Sequence, residues 1–219
     1  MRASIQSLST LLQPTTLEDH TLPSKEINRL AAMVAEGSIK NLLLYGGNGR
    51  GKTLVARLIS KSVSPQNGIE LNGASSEDRE FIVSGELKRY GSSTPLFGDR
   101  KLCFIDNADF LPKHAQGDVL AAIDKCSTAS FILVANKPAQ LLPGLQSRLL
   151  PICFDLSDED LPEVRKRFIQ RCAAVLSGAG ILYDTARLTE VVAKGFPDLW
   201  KVVNALEWEF GNVLAHDVA

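Results

Sequence analysis

Short, wholly apolar runs alternate with segments whose apolar residues recur every three or four positions. The apolar runs Asn41–Tyr45, Ile69–Asn72, Leu102–Asp106, Phe131–Ala135 and Ile152–Phe154 predict strands. Most are apolar throughout rather than every second residue, the pattern of strands covered on both faces. Between them the spacing predicts helices over Ser24–Glu36, Lys52–Ser62, Ser76–Tyr90 and Gln116–Lys125. Repeated strand–helix units predict an α/β fold with a parallel sheet and helices on both sides.

After Phe154 the pattern changes. Ser157 is placed to cap a helix carrying Leu161, Val164, Phe168, Cys172 and Val175, closed by Gly178 and Gly180. Asp184 is placed to cap a second helix through Leu188, Val191 and Val192, and a third begins near Pro197. The expected division is therefore a nucleotide-binding core over 1–154 and a small three-helix lid over 155–219.

The nucleotide assignment rests on the turn between the first sheet strand and its helix. Gly46, Gly47, Asn48, Gly49, Arg50, Gly51, Lys52 and Thr53 fit G-x-x-x-x-G-K-[ST] at every fixed position. Glycines let successive backbone N–H groups turn inward on an anion, and the helix N-terminus adds partial positive charge. Lys52 is placed to reach the β- and γ-phosphates, and the Thr53 hydroxyl to ligate Mg²⁺. The run Lys101–Asp106 is an apolar strand ending in an acid, a Walker B pattern in which Asp106 would hold Mg²⁺ through water. Asn136 ends another buried strand, where its amide can hold a water near the γ-phosphate.

Composition adds bounds. The chain has 219 residues, 45% hydrophobic and 22% charged, with net charge −1. That balance excludes a uniformly basic nucleic-acid binder but not a local basic face. No stretch is long and apolar enough to span a bilayer, and the N-terminus lacks an apolar signal core. The four cysteines, Cys103, Cys126, Cys153 and Cys172, match no metal-ligand spacing and are expected to be core thiols in a reducing cytoplasm.

With these parts in order, the chain resembles the AAA+ ATPases, and among them the phage-type small ATPase subunits of sliding-clamp loaders. Gln13–Asp19 resembles the Y-R-P-x-T-x-x-[DE] opening, Asn72–Ser75 the N-[GA]-S-D after the second strand, and Asp106–Asp109 the D-E-A-D box. Phe131–Asn136 matches the first sensor strand, Gln146–Arg148 the S-R-C motif, and Phe196–Lys201 falls on the second sensor. The resemblance implies ATP and Mg²⁺ as ligands, and other loader subunits, a sliding clamp and primer-template DNA as partners. It also implies a bacterial or phage-infected cytoplasm. It makes Arg148 a finger reaching a neighbouring subunit's site. Arg79, Lys88, Arg89 and Lys113 fall on helices that face template DNA in the family, although a solvated charged face is the plain alternative.

The departures are informative. Asn107 stands where the family has its catalytic glutamate, and an amide cannot accept a proton from water. Trp200 stands in place of the second-sensor arginine. Leu149 replaces the cysteine of S-R-C, and Leu12-Gln13 replaces the opening tyrosine–arginine pair. Beyond the lid the family carries a collar domain, and none is expected within these 219 residues. Expected, then, is an ATP-binding loader subunit with weakened hydrolysis. A non-hydrolysing scaffold that lends Arg148 to a neighbour and a helicase-loader-type adaptor stand as alternatives.

Overall fold

The computed structural model describes residues 7–37, 39–95, 100–126 and 128–211. In chain order its elements are α1 (Leu8–Leu11), α2 (Ser24–Ala35), β1 (Leu42–Tyr45), α3 (Lys52–Val63), β2 (Gly68–Asn72), α4 (Ser76–Val83) and α5 (Glu86–Ser92). These are followed by β3 (Lys101–Asp106), α6 (Lys113–Lys125), β4 (Ala129–Ala135), α7 (Pro143–Gln146) and β5 (Leu150–Cys153). The chain then runs through α8 (Leu161–Gly178), α9 (Thr185–Gly195) and α10 (Leu199–Phe210).

It divides into two compact units. One is built from Ser24–Gly47 and Lys52–Asp155, the other from the segment up to Pro23, Asn48–Gly51 and the chain from Leu156 onward.

In the first unit five strands form one sheet in the order β2-β3-β4-β1-β5, and every pairing is parallel. β3 and β4 are the interior of the core: Leu102, Cys103, Phe104 and Ile105 pair with a wholly buried run from Ser130 to Ala135. Burying Phe104 or Phe131 contributes about 2–3 kcal/mol by area. Strand order reverses beside β1, and because all strands are parallel the carboxyl ends of β1, β3 and β4 lie along one edge of the sheet, the edge where open α/β sheets hold ligands.

The helix expected over Ser76–Tyr90 is two helices. Gly85 adopts φ +89, a conformation that ends α4 and that side-chain-bearing residues rarely take. Helix α6 starts at Lys113, a turn earlier than the apolar spacing suggests, because Pro112 sits at its N-cap and its carbonyl accepts from Gln116 N–H.

The second unit has its own core. Phe168, Cys172 and Leu176 of α8 pack with Leu188 and Val192 of α9 and Val202, Leu206 and Phe210 of α10. Leu8 and Leu12 of the N-terminal segment belong to this same cluster. Asp184 and Asp198 cap α9 and α10 through their carboxylates. Residues 212–219, the end of the expected lid, lie outside the described residues. Among the described residues no helix is long and apolar enough to cross a membrane.

Candidate functional site

The phosphate loop leaves β1 at Gly46. Gly46, Gly49 and Gly51 have φ of +139, +71 and +80, so the loop needs residues without a Cβ. A Cβ on Gly46 would lie 3.1 Å from the Asp155 backbone nitrogen. Gly47 N–H donates to Asp155 Oδ1 at 2.9 Å. Lys52 is the first residue of α3 and is 94% removed from solvent, with 6% exposure. Its Nζ donates to the carbonyls of Gly46 (2.9 Å) and Gly47 (2.7 Å). The ammonium is thereby held over the loop that it closes.

Next to Lys52 the chain builds an oxygen corner. Thr53 Oγ1 lies 3.2 Å and 3.1 Å from the two carboxylate oxygens of Asp106 at the end of β3. A hydroxyl and a carboxylate in contact are hard donors of the kind Mg²⁺ takes, and Mg²⁺ needs few protein ligands when phosphates and waters complete its shell. Among the described residues no cluster of three or more His, Cys, Asp or Glu is placed to hold a metal. The Thr53–Asp106 donor set fits Mg²⁺ delivered with phosphates.

One residue further on, the chemistry becomes neutral. Asn107 has φ +50 and ψ 43, the positive-φ non-glycine residue among those described. Asparagine tolerates this left-handed region better than most side chains. Its Nδ2 donates to Asn72 Oδ1 at 3.1 Å, and Asn72 Oδ1 also accepts from Ala74 N–H at 2.9 Å. Asn107 N–H donates to Asp106 Oδ1 at 2.9 Å. Asn136 follows β4, and its N–H, with that of Lys137, donates to Asp109 Oδ2 at 3.1 Å and 3.0 Å. Asp109 and Asn72 thus fix the two strand ends. The sequence showed both only as letters of motifs, with nothing to reveal their partners.

Arg148 lies on the same unit, after α7. Its guanidinium pairs with Asp124 of α6 and donates to the Gly144 carbonyl at 3.0 Å. The four basic residues considered for DNA are all engaged within the chain. Arg79 donates to the carbonyls of Gly73 and Ala74, Lys88 pairs with Asp118 at 2.8 Å, Arg89 pairs with Glu86, and Lys113 donates to the Gln140 carbonyl.

In the helical unit, His20 is buried against the loop segment: a Cβ on Gly51 would sit 2.2 Å from its Nε2. Burial, with Arg171 and Arg167 nearby, pushes the imidazole down to about 4 despite a hydrogen bond to the Gly51 backbone, so it is neutral at pH 7. Asp19 pairs with Arg171 at 2.7 Å. Burial raises its carboxyl, but Arg171 and the N–H groups of Thr15 and Thr16 hold the net value below normal. A cavity of about 490 Å³ lies beside these groups, lined by Leu11, Asp19, His20, Phe168, Arg171 and Val175 among others. Asp198 abuts Gly49, whose carbonyl accepts from Leu199 N–H at 2.8 Å. Trp200, the second residue of α10, is 65% exposed. Lys201 turns back to Asp198 at 3.5 Å. Arg50 and Asn48 complete the loop, with Asn48 exposed on it and Arg50 half-buried.

The cysteines are all free. Burial raises the thiol pKa of Cys103 and lifts that of Cys172 to about 12, the behaviour of core hydrophobes.

Residues 42–154 match the model of a family described as "ATPase family associated with various cellular activities (AAA)". The replication factor C small subunit of Methanococcus maripaludis is 29% identical over 204 residues, which cover 89% of this chain and 62% of that protein. The replication factor C small subunit of Aeropyrum pernix is 27% identical over 202 residues, covering 89% and 60%. The chain thus spans about six-tenths of the length of these relatives. Among solved structures, the Thermotoga maritima RuvB Holliday junction branch migration motor superposes with a TM-score of 0.63 at 18% identity, over 89% of this chain and 63% of that one. That likeness establishes the fold.

Proposed function

The chain belongs to the AAA family of ATPases, and from that premise we propose that it is an ATP-binding subunit of a sliding-clamp loader whose own hydrolysis is slow. The observation that carries the reading is the contrast between neighbours in sequence. Lys52, Thr53 and Asp106 keep the charges and oxygens that phosphate and Mg²⁺ require. Asn107 offers a neutral amide already bonded to Asn72. The bound Mg²⁺ would supply charge neutralisation at the β- and γ-phosphates. Lys52 binds those phosphates, Gly46 to Gly51 cradle them, and Asn136 orients water. No side chain at position 107 accepts that water's proton, and losing a general base lowers rate by about 10²–10⁴.

The loader assignment is supported by similarity to replication factor C small subunits over most of the chain. In this reading the chain acts in the cytoplasm with other AAA+ subunits, a sliding clamp and primer-template DNA. Arg148 serves a neighbouring subunit's nucleotide. A scaffold role, binding ATP without turning it over, is favoured if the amide pair Asn72–Asn107 fully silences the site. The client is tested by ATP-dependent capture of the sliding clamp from the same genome. Capture with Mg·ATP that is lost in Lys52→Ala supports the loader. Capture of the replicative helicase instead of the clamp overturns it.

A further inference from the structure

We propose that Asp124 is a positioning residue that fixes the Arg148 guanidinium for delivery to a neighbouring subunit's nucleotide. The inference rests on the reading of Arg148 as a residue acting in trans.

The position begins with the backbone. Leu145 and Leu149 flank Arg148 and are buried in the core of the sheet unit. Arg148 N–H donates to the Leu145 carbonyl at 3.0 Å, and Gln146 Nε2 donates to the Leu141 carbonyl at 3.0 Å. The turn after α7 is therefore anchored on both sides of the arginine. The side chain is then held at two of its nitrogens. Nε donates to Asp124 Oδ1 in the last turn of α6, and Nη1 donates to the Gly144 carbonyl at 3.0 Å with a longer 3.5 Å contact to Ser147 Oγ. Among the described residues no hydrogen bond involves Nη2.

The choice of nitrogens separates two roles for the aspartate. A carboxylate that sequesters arginine takes the parallel two-bond fork. Here one carboxylate oxygen takes Nε from the side, and Nη2 is left to project. The arginine side chain stays 41% exposed and the aspartate 45%. An exposed pair of this kind adds little to stability, so its evident consequence is orientation. A guanidinium held at Nε and Nη1 has lost its rotamer freedom before a phosphate arrives, which is the condition for effective transition-state stabilisation.

The test is single-turnover hydrolysis of ATP by the full chain at concentrations where it self-associates with Mg·ATP, read with ATP affinity by calorimetry and with melting temperature. Arg148→Ala is expected to remove the slow parent turnover, since such a finger is worth about 10³-fold or more. Asp124→Asn is expected to lower it by about 10-fold with ATP affinity and melting temperature unchanged, and Asp124→Glu to recover most of it. In an Arg148→Ala background, Asp124→Asn is expected to have no further effect. A rise in rate for Asp124→Asn makes the aspartate a latch and overturns the proposal. An equal fall in the Arg148→Ala background makes it structural and overturns it too. If Arg148→Ala leaves the rate and the association unchanged, or the parent chain neither turns over nor associates, the trans reading falls and the proposal with it. A loss in Arg148→Ala with none in Asp124→Asn removes only the role of Asp124.

Discussion

Asp106 and Asn107 are consecutive, yet they end two different kinds of corner. Asp106 meets the Thr53 hydroxyl with both carboxylate oxygens, a charged donor where the proposed reading puts Mg²⁺. Asn107 meets another amide and carries none. Under the proposed function, the difference teaches that holding a nucleotide and attacking it are separable in this fold. Each depends on its own strand-end residue, and the backbone that presents one does not impose the chemistry of the other. Arg148 belongs to the same unit, and its guanidinium is bonded to Asp124 and the Gly144 carbonyl rather than to either corner.

The comparison breaks most completely at Lys52. Lys52→Ala is expected to weaken Mg·ATP binding on the order of 100-fold or more, since bonds to a charged group are worth roughly 1.5–3 kcal/mol each and the ammonium has three donors. Calorimetry reads this directly. Parent-like affinity in the variant would mean that the charged corner does not bind the phosphates.

A second test concerns the histidine behind the loop. His20 falls from 6.5 to about 4 on folding because burial disfavours its charged form. Between those values the unfolded chain binds a proton that the folded chain refuses. The contribution is therefore fully present above about pH 6.5 and is lost as pH falls towards 4. The predicted loss is about 3 kcal/mol at pH 4. His20→Leu removes this dependence, so urea melts of the two proteins between pH 7 and 4 should diverge in slope. Equal slopes would place an already protonated imidazole in the fold.

How much of this was legible beforehand follows from what each residue needs. The strands were readable because both faces of the sheet are covered, and Lys101–Asp106 and Ala129–Ala135 carry no polar alternation to confuse them. The loop was readable because its conformation demands glycine at fixed spacing. The break at Gly85 was not, since a glycine inside a helical pattern is tolerated often and only its φ of +89 tells otherwise. The role of Leu8 and Leu12 was also hidden. Leu8 opens a short helix and Leu12 caps it, and their partners on α8 to α10 lie more than 150 positions away. The charged candidates Lys52 and Asp106 were legible as letters of motifs. The backbone-holding roles of Asp109 at the Asn136 turn and Asp155 at Gly47 were not legible, because a carboxylate accepting backbone N–H groups has no local signature.

The neutral corner is sharpened by Asn107→Glu. Restoring a carboxylate is expected to raise single-turnover hydrolysis about 10-fold, short of the full general-base effect. Position 107 holds φ +50, which disfavours glutamate by roughly 1–2 kcal/mol relative to unstrained backbone. The bond to Asn72 Oδ1 is lost as well. A melt alongside the assay separates strain from chemistry, and no gain in a well-folded variant would place the lost catalysis elsewhere too.

The smallest expected effect is on DNA. Lys88 is already paired with Asp118, and Arg79 is bonded to two carbonyls. Charge reversal at both should weaken binding of a primer-template only a few-fold at low salt, with a shallower salt slope of about one unit per phosphate contact removed. An unchanged slope takes these two residues off any DNA surface.

The central claim is that this chain keeps ATP without consuming it quickly. It is tested most directly by mixing excess protein with γ-labelled ATP and Mg²⁺ and following phosphate release in a single turnover. The account predicts that the nucleotide binds and stays largely uncleaved over many minutes, with Lys52→Ala binding it on the order of 100-fold more weakly or worse. Release of the label within seconds by the parent chain, abolished in Lys52→Ala, would contradict it and show that a group other than residue 107 activates the water.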